Sequence, residues 1–157
     1  MTQKRVALLS EAFPSISRTI NQASDSLNAN IVEFEATLNR FRLGVTAEIV
    51  LNSGPVESDE PMTFVESLEY SKHKGRWGLW LAEYYEETVD SGDPNSYNLT
   101  PLKDAPRELR FQAVEKFPEL LQRLAERGQA FADEAVEKSQ RVADLNTTLK
   151  SIELLNI

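Results

Sequence analysis

The sequence predicts an α+β protein: two long antiparallel helices packed on a three-stranded antiparallel β-meander, in the order α-β-β-β-α, with a short helix before the C-terminal long helix. Three observations predict it. Apolar residues recur every three or four positions near both ends of the chain. They alternate at every second position in the middle. Clusters of Gly, Pro, Asn and Ser separate the two regimes. At 157 residues, 41% hydrophobic and 27% charged, the chain holds enough apolar material for one core. A single domain over 1–157 is expected, with N-terminal helices in 1–42, the meander in 43–88, a linker in 89–102 and C-terminal helices in 103–157.

The first helix rests on Ile16, Ile20, Ala23, Leu27, Ile31, Phe34, Leu38 and Phe41, whose steps of three and four residues draw one apolar stripe. Pro14 is expected to break or kink the chain between a short helix over 3–12 and a long one over 15–41. Gly44 suits the C-terminal cap. Val45, Ala47, Ile49 and Leu51 then alternate with Thr46, Glu48 and Val50, as in a half-buried strand, until Asn52-Ser53-Gly54-Pro55 ends it. A second strand is read around Phe64–Tyr70 and a third over Trp77–Tyr85, where aromatic residues gather. Lys72-His73-Lys74-Gly75 between them reads as a hairpin turn. From Val89 to Pro101 the residues are those of turns. The final stripe runs from Phe117 to Ile152, and Pro118 is expected to divide it into a short helix over 103–115 and a long one over 118–150.

Composition removes several classes of function. Cysteine is absent, which excludes disulfide scaffolds, thiol nucleophiles and thiolate metal sites, and the one histidine excludes a histidine-rich metal site within the chain. No phosphate-loop, dinucleotide, nucleophile-elbow or zinc-helix motif occurs. No catalytic residue, cofactor or metal is assigned, and the chain reads as not an enzyme. The N-terminal apolar run breaks at Ser10-Glu11, and no stretch approaches transmembrane length, so a cytoplasmic protein of bacterial or phage type with no membrane partner is expected. The net charge of −8 lies in the middle: residues 43–102 hold three Lys or Arg against eleven Asp or Glu, while the flanks come to +1 and −1. Direct nucleic-acid binding is disfavoured by that balance.

The stretch Ser71-Lys72-His73-Lys74-Gly75-Arg76-Trp77-Gly78-Leu79-Trp80 gathers the histidine and both tryptophans. His73 reads as an exposed turn residue, because a turn gives a general base neither cleft nor orienting partner. Lys72, Lys74 and Arg76 are either a solvated tip that discourages edge pairing or, with Trp77 and Trp80, a protein-binding patch. The tryptophans fall on opposite faces of a regular strand. Glu83, Glu86, Glu87, Asp90 and Asp93 read as solvated acids without the spacing of a calcium loop. Near the C-terminus, Val142, Leu145, Leu149 and Ile152 continue an apolar stripe past the length of the first helix, which points to self-association as a homodimer. The function expected is that of a non-catalytic protein-interaction or assembly protein. An acidic inhibitor that mimics nucleic acid, of phage or mobile-element type, is the first alternative, and an enzyme of unfamiliar type using carboxylates is the second.

Overall fold

A computed structural model describes residues 3–57, 62–87 and 96–155, with the backbone alone described for residues 3–7, 9, 87 and 96. The elements run α1 (Gln3–Phe41), β1 (Ala47–Val56), β2 (Met62–His73), β3 (Arg76–Glu87), β4 (Ser96–Pro101), a 3-10 turn (Leu102–Asp104), α2 (Arg107–Glu115) and α3 (Phe117–Leu155). The strands form one antiparallel sheet in the order β1-β2-β3-β4. The protein is α+β, but the sheet has four strands where three were expected. The extra one, β4, occupies residues read as linker. Its alternating Tyr97 and Leu99 pair with Tyr84 and Ala82, and Pro101 sits at its end, where a missing donor costs least.

Two other boundaries differ from expectation. Asn52-Ser53-Gly54-Pro55 does not end β1. A bulge between Val50 and Asn52 absorbs the irregularity, and pairing continues to Val56 opposite Met62. Pro14 lies inside α1, which is continuous over 39 residues. Residues 13–20 are exposed, so the donor that Pro14 lacks is not a buried defect. Pro118 does fall at a break, where Lys116 separates α2 from α3 and leaves the proline in the first turn of α3. After α1, Arg42 takes the left-handed conformation (φ 51°) and Gly44 a second one (φ 69°).

The β2–β3 hairpin forms as the sequence predicts. Lys74 and Gly75 both have positive φ, the two-residue turn that suits the right-handed twist of the strands, and His73 pairs with Arg76. One face of the sheet, here the inner face, carries Ala47, Ile49, Leu68, Tyr70, Leu79 and Leu81 into the core. Ile31 and Leu38 of α1, Ala113 of α2 and Leu120 and Leu124 of α3 cover it, and Leu102 and Ala105 seal one side. Phe34 of α1 stacks on Phe117 at 4.3 Å between ring centroids. Burial of each such side chain contributes about 1.5–3 kcal/mol.

Helix direction follows from paired contacts. The Leu79 N–H donates to Glu35 Oε2 at 2.8 Å, and Asn39 Nδ2 donates to the Trp77 carbonyl at 3.2 Å. Four residues of helix and two of strand each advance about 6 Å, so α1 runs against β3. Arg123 Nη1 donates to the Glu48 carbonyl and Arg127 Nη1 to the Thr46 carbonyl, so α3 runs against β1 by the same reasoning. β1 and β3 both oppose β2 and share a direction. The two long helices therefore run in the same sense, which corrects the expected antiparallel pair. The cause is the segment Leu102–Pro106. Extended backbone at Ala105 and Pro106 returns the chain along α1, until Arg107 Nη2 donates to Asn21 Oδ1 at 3.3 Å and Arg110 bonds Ser24 and Asn28. α2 and α3 then climb beside α1.

Glu35 has a further role. β4 ends at Pro101, opposite Trp80, so the N–H of Leu79 on that edge of β3 has no strand to meet. The Glu35 carboxylate takes the place of the missing strand. It comes so near that a Cβ on Gly78 would lie 3.2 Å from it and 3.4 Å from the Trp80 ring, so a larger residue there would push the carboxylate back by a few tenths of an ångström. Removing the acceptor should leave a part-buried donor unsatisfied. Glu35→Ala should lower stability by about 1–3 kcal/mol in a urea melt, and Glu35→Gln, which keeps an acceptor oxygen, by clearly less.

Candidate protein-interaction surfaces

Among the described residues no helix covers the outer face of the sheet; its own side chains close it. In register order, one row across β1 to β3 is Glu48, Glu69, Trp80, and the next is Val50, Ser67, Ala82 with Leu99 of β4. Ser67 and Ala82 are small and fully buried. The gap above them admits two tyrosine side chains. Tyr84 donates its hydroxyl to Glu48 Oε1 at 2.7 Å, Tyr97 donates to Glu69 Oε2, and the two rings stack at 5.6 Å. Glu48 and Glu69 are register partners, and like charges directly opposite repel; each finds a neutral hydroxyl donor instead of a cation. A second acidic pair, Glu66 and Glu83, is treated similarly: Asn52 Nδ2 donates to Glu66 and Asn98 Nδ2 to Glu83. Ser67 Oγ, beneath the rings, is buried without a hydrogen-bond partner among the described residues.

Burial first, then the carboxylate bond, pushes the Tyr84 hydroxyl well above its ordinary range, and the same causes act in the same order on Tyr97. Tyr97 is half-exposed, so the pH argument rests on Tyr84, which is 8% exposed. A raised tyrosine pKa means that the folded state favours the neutral hydroxyl. That contribution is complete below the unfolded value near 10 and is lost as pH rises beyond it.

The hairpin tip is partly docked. Lys72, Lys74 and Arg76 are exposed, but His73 is half-buried with its ring edge-on to Trp80 at 5.4 Å, and the Arg76 guanidinium lies 5.4 Å from the Trp80 ring. The exposed turn histidine of the sequence reading is corrected accordingly. The tryptophans do take opposite faces. Trp77 is half-buried on the inner side, stacked on Tyr70 at 5.4 Å, and Trp80 is 6% exposed with its indole N–H donating to the Ser71 carbonyl at 3.2 Å. Neither is a protruding aromatic. Instead His73, Lys74, Arg76, Trp80, Leu99 and Pro101 line an open hollow of about 390 Å³. Cations around an indole floor suit an acidic side chain. No ion pair among the described residues involves Lys72, Lys74 or Arg76. Of the acidic run, Asp90, Asp93 and the Glu87 side chain lie outside the described residues, and Glu86 is exposed. Among the described residues no three His, Asp or Glu side chains gather as metal ligands.

The helices supply the second surface. In α1, Asn21 bonds Arg107 of α2, and in α3, Phe131 and Glu134 line a cleft with the α1–β1 turn. Residues 3–20 of α1 precede these contacts and span about 27 Å at one end, and residues 135–155 of α3 follow them and span about 32 Å at the other. Both carry large apolar residues into solvent: Phe13, Ile16 and Ile20 on α1, and Val142, Leu145, Leu149 and Ile152 on α3, the last four 49–64% exposed. From Phe117 to Ile152 the α3 stripe steps 4, 3, 4, 3 without exception, provided Lys138 is counted between Ala135 and Val142. That strict seven-residue repeat is the pattern of a coiled-coil seam. The stripe of α1 breaks the alternation with two steps of four at Ala23, Leu27 and Ile31, where the helix meets the core. Among the described residues no helix is long and apolar enough to cross a membrane.

No protein-family model, curated protein or solved structure matches the chain. The tyrosine–carboxylate bonds can be read in solution. In an alkaline spectrophotometric titration, Tyr70, Tyr84 and Tyr97 should ionise late. Tyr84→Phe should remove one late-titrating group and reduce the loss of stability above pH 10, whereas no change in the late phase would contradict the assignment.

Proposed function

We propose that the chain is a non-catalytic assembly protein that pairs with a second copy of itself through the outlying half of α3. The observation that carries this reading is the exposed repeat of Val142, Leu145 and Leu149, each more than half exposed, on a helix segment beyond the reach of the chain's own core. A contiguous apolar strip of this kind is unfavourable in water and is a common mark of an interaction surface. Leu8 of α1 is itself exposed, on the helix overhang at the other end of the fold from this strip. Residues 43–102 carry the net negative charge of the chain, which supports a role without direct nucleic-acid contact.

Light scattering tests the reading. The chain should show twice its 17.7 kDa mass at micromolar concentration. Leu145→Asp combined with Leu149→Asp should return it to a monomer, with the tryptophan near-ultraviolet dichroism of the sheet unchanged. A monomeric mass for the unsubstituted chain would overturn the proposal.

A further inference from the structure

We infer that the two copies pair antiparallel, centred near Gln140, so that the end of each α3 returns to the base of its partner. This rests on the pairing reading above and adds its orientation. Side-chain size along the seam changes with distance from the sheet. Gly128 and Ala135 occupy seam positions in the near part, and Leu145, Leu149 and Ile152 occupy them in the far part. Parallel pairing would set Gly128 on Gly128 and Ala135 on Ala135, leaving thin layers, and would place Lys138 against Lys138 within the seam. Antiparallel pairing centred near Gln140 sets Ala135 against Leu145, Gly128 against Ile152 and Phe131 against Leu149. Small residues then face large ones, and each Lys138 meets an aliphatic Val142 rather than its own copy.

A separate feature favours the same orientation. At the base of the outlying segment, α3 and the α1–β1 turn enclose an open cleft of about 420 Å³, lined by Val45, Thr46, Arg127, Phe131 and Glu134 among others. In the antiparallel pair the partner's last turns arrive beside this cleft. They carry Leu154 and Leu155, which are 75% and 86% exposed in the single chain. In a parallel pair those turns would lie far from the cleft.

The chain has no cysteine, so a single introduced thiol can carry a spin label without background. Gln140→Cys and Glu126→Cys both lie on the side of α3 away from the seam. Each is labelled separately, its mass checked by light scattering, and the distance between the two labels of the pair measured by pulsed dipolar spectroscopy. The antiparallel pair should give a short distance at Gln140, near the roughly 20 Å width of two helices, and a long one at Glu126, about 45 Å from the helical rise. Two short distances would mean a parallel pair, and two long ones a contact elsewhere; either overturns the inference while leaving self-association intact. A monomeric mass would remove both.

Discussion

A mismatch of length governs this fold. The two central strands have 12 residues each and span about 40 Å, while α1 and α3 have 39 residues each and span about 58 Å. No placement of such helices lets the sheet cover them whole. Antiparallel helices in full register could still have covered one another. Here they run in the same sense and are staggered, with Phe117 at the start of α3 stacked on Phe34 late in α1. The surplus of each helix is therefore thrown to opposite ends. The exposed stripes follow from that stagger, and the stagger follows from the five residues between β4 and α2 that return the chain along α1.

The sheet solves two problems of its own with polar groups rather than more apolar ones. Among the described residues its outer face has no covering layer, and Tyr84 and Tyr97 lean over the small Ser67 and Ala82 and end on carboxylates that would otherwise repel each other. Its edge at Leu79 lacks a strand, so Glu35 reaches from α1 to accept the N–H. An unmet backbone donor costs more than a typical hydrogen bond contributes, so this contact also sets how deep α1 seats and where along β3 it stops. Position on the sheet then decides which turns of α1 are docked and which extend into solvent.

The parts of this arrangement that the sequence makes legible are those with a local cause. The hairpin at Lys74-Gly75, the three longer strands, both apolar helix stripes and the break at Pro118 are visible from spacing and turn chemistry. The remainder depends on partners far away in sequence. β4 is a strand because Tyr84 and Ala82 offer it an edge, and in its six residues Ser96, Asn98 and Pro101 offset the strand preference of Tyr97 and Thr100. The bulge at Leu51 keeps Asn52 paired, and its amide bonds both Glu66 and Gln112 of α2. Pro14 is tolerated because it lies in an exposed stretch of α1, residues 13–20. The exposure of Leu145 and Leu149 was expected from a C-terminal helix longer than the first, but both helices have 39 residues and their stagger is what leaves the stripe uncovered. The docking of His73 on Trp80 was not legible: the two are seven residues apart, and only the hairpin register brings them onto one face.

Two outlying segments at opposite ends have different consequences for assembly. The α3 stripe is a strict heptad over several turns and can close on itself by a two-fold axis, which satisfies it in a finite pair. In the proposed pair the two sheets would sit at the ends of the shared α3 segment, with each α1 overhang pointing outward from it. Phe13, Ile16 and Ile20 on that overhang span little more than two helical turns, too short for a stable coiled coil by themselves. Their apolar face is left outside whatever the α3 contact buries. The proposed pair would thus be complete at its centre and open at its tips, and the tips would carry the surface on which association with anything beyond a second copy depends.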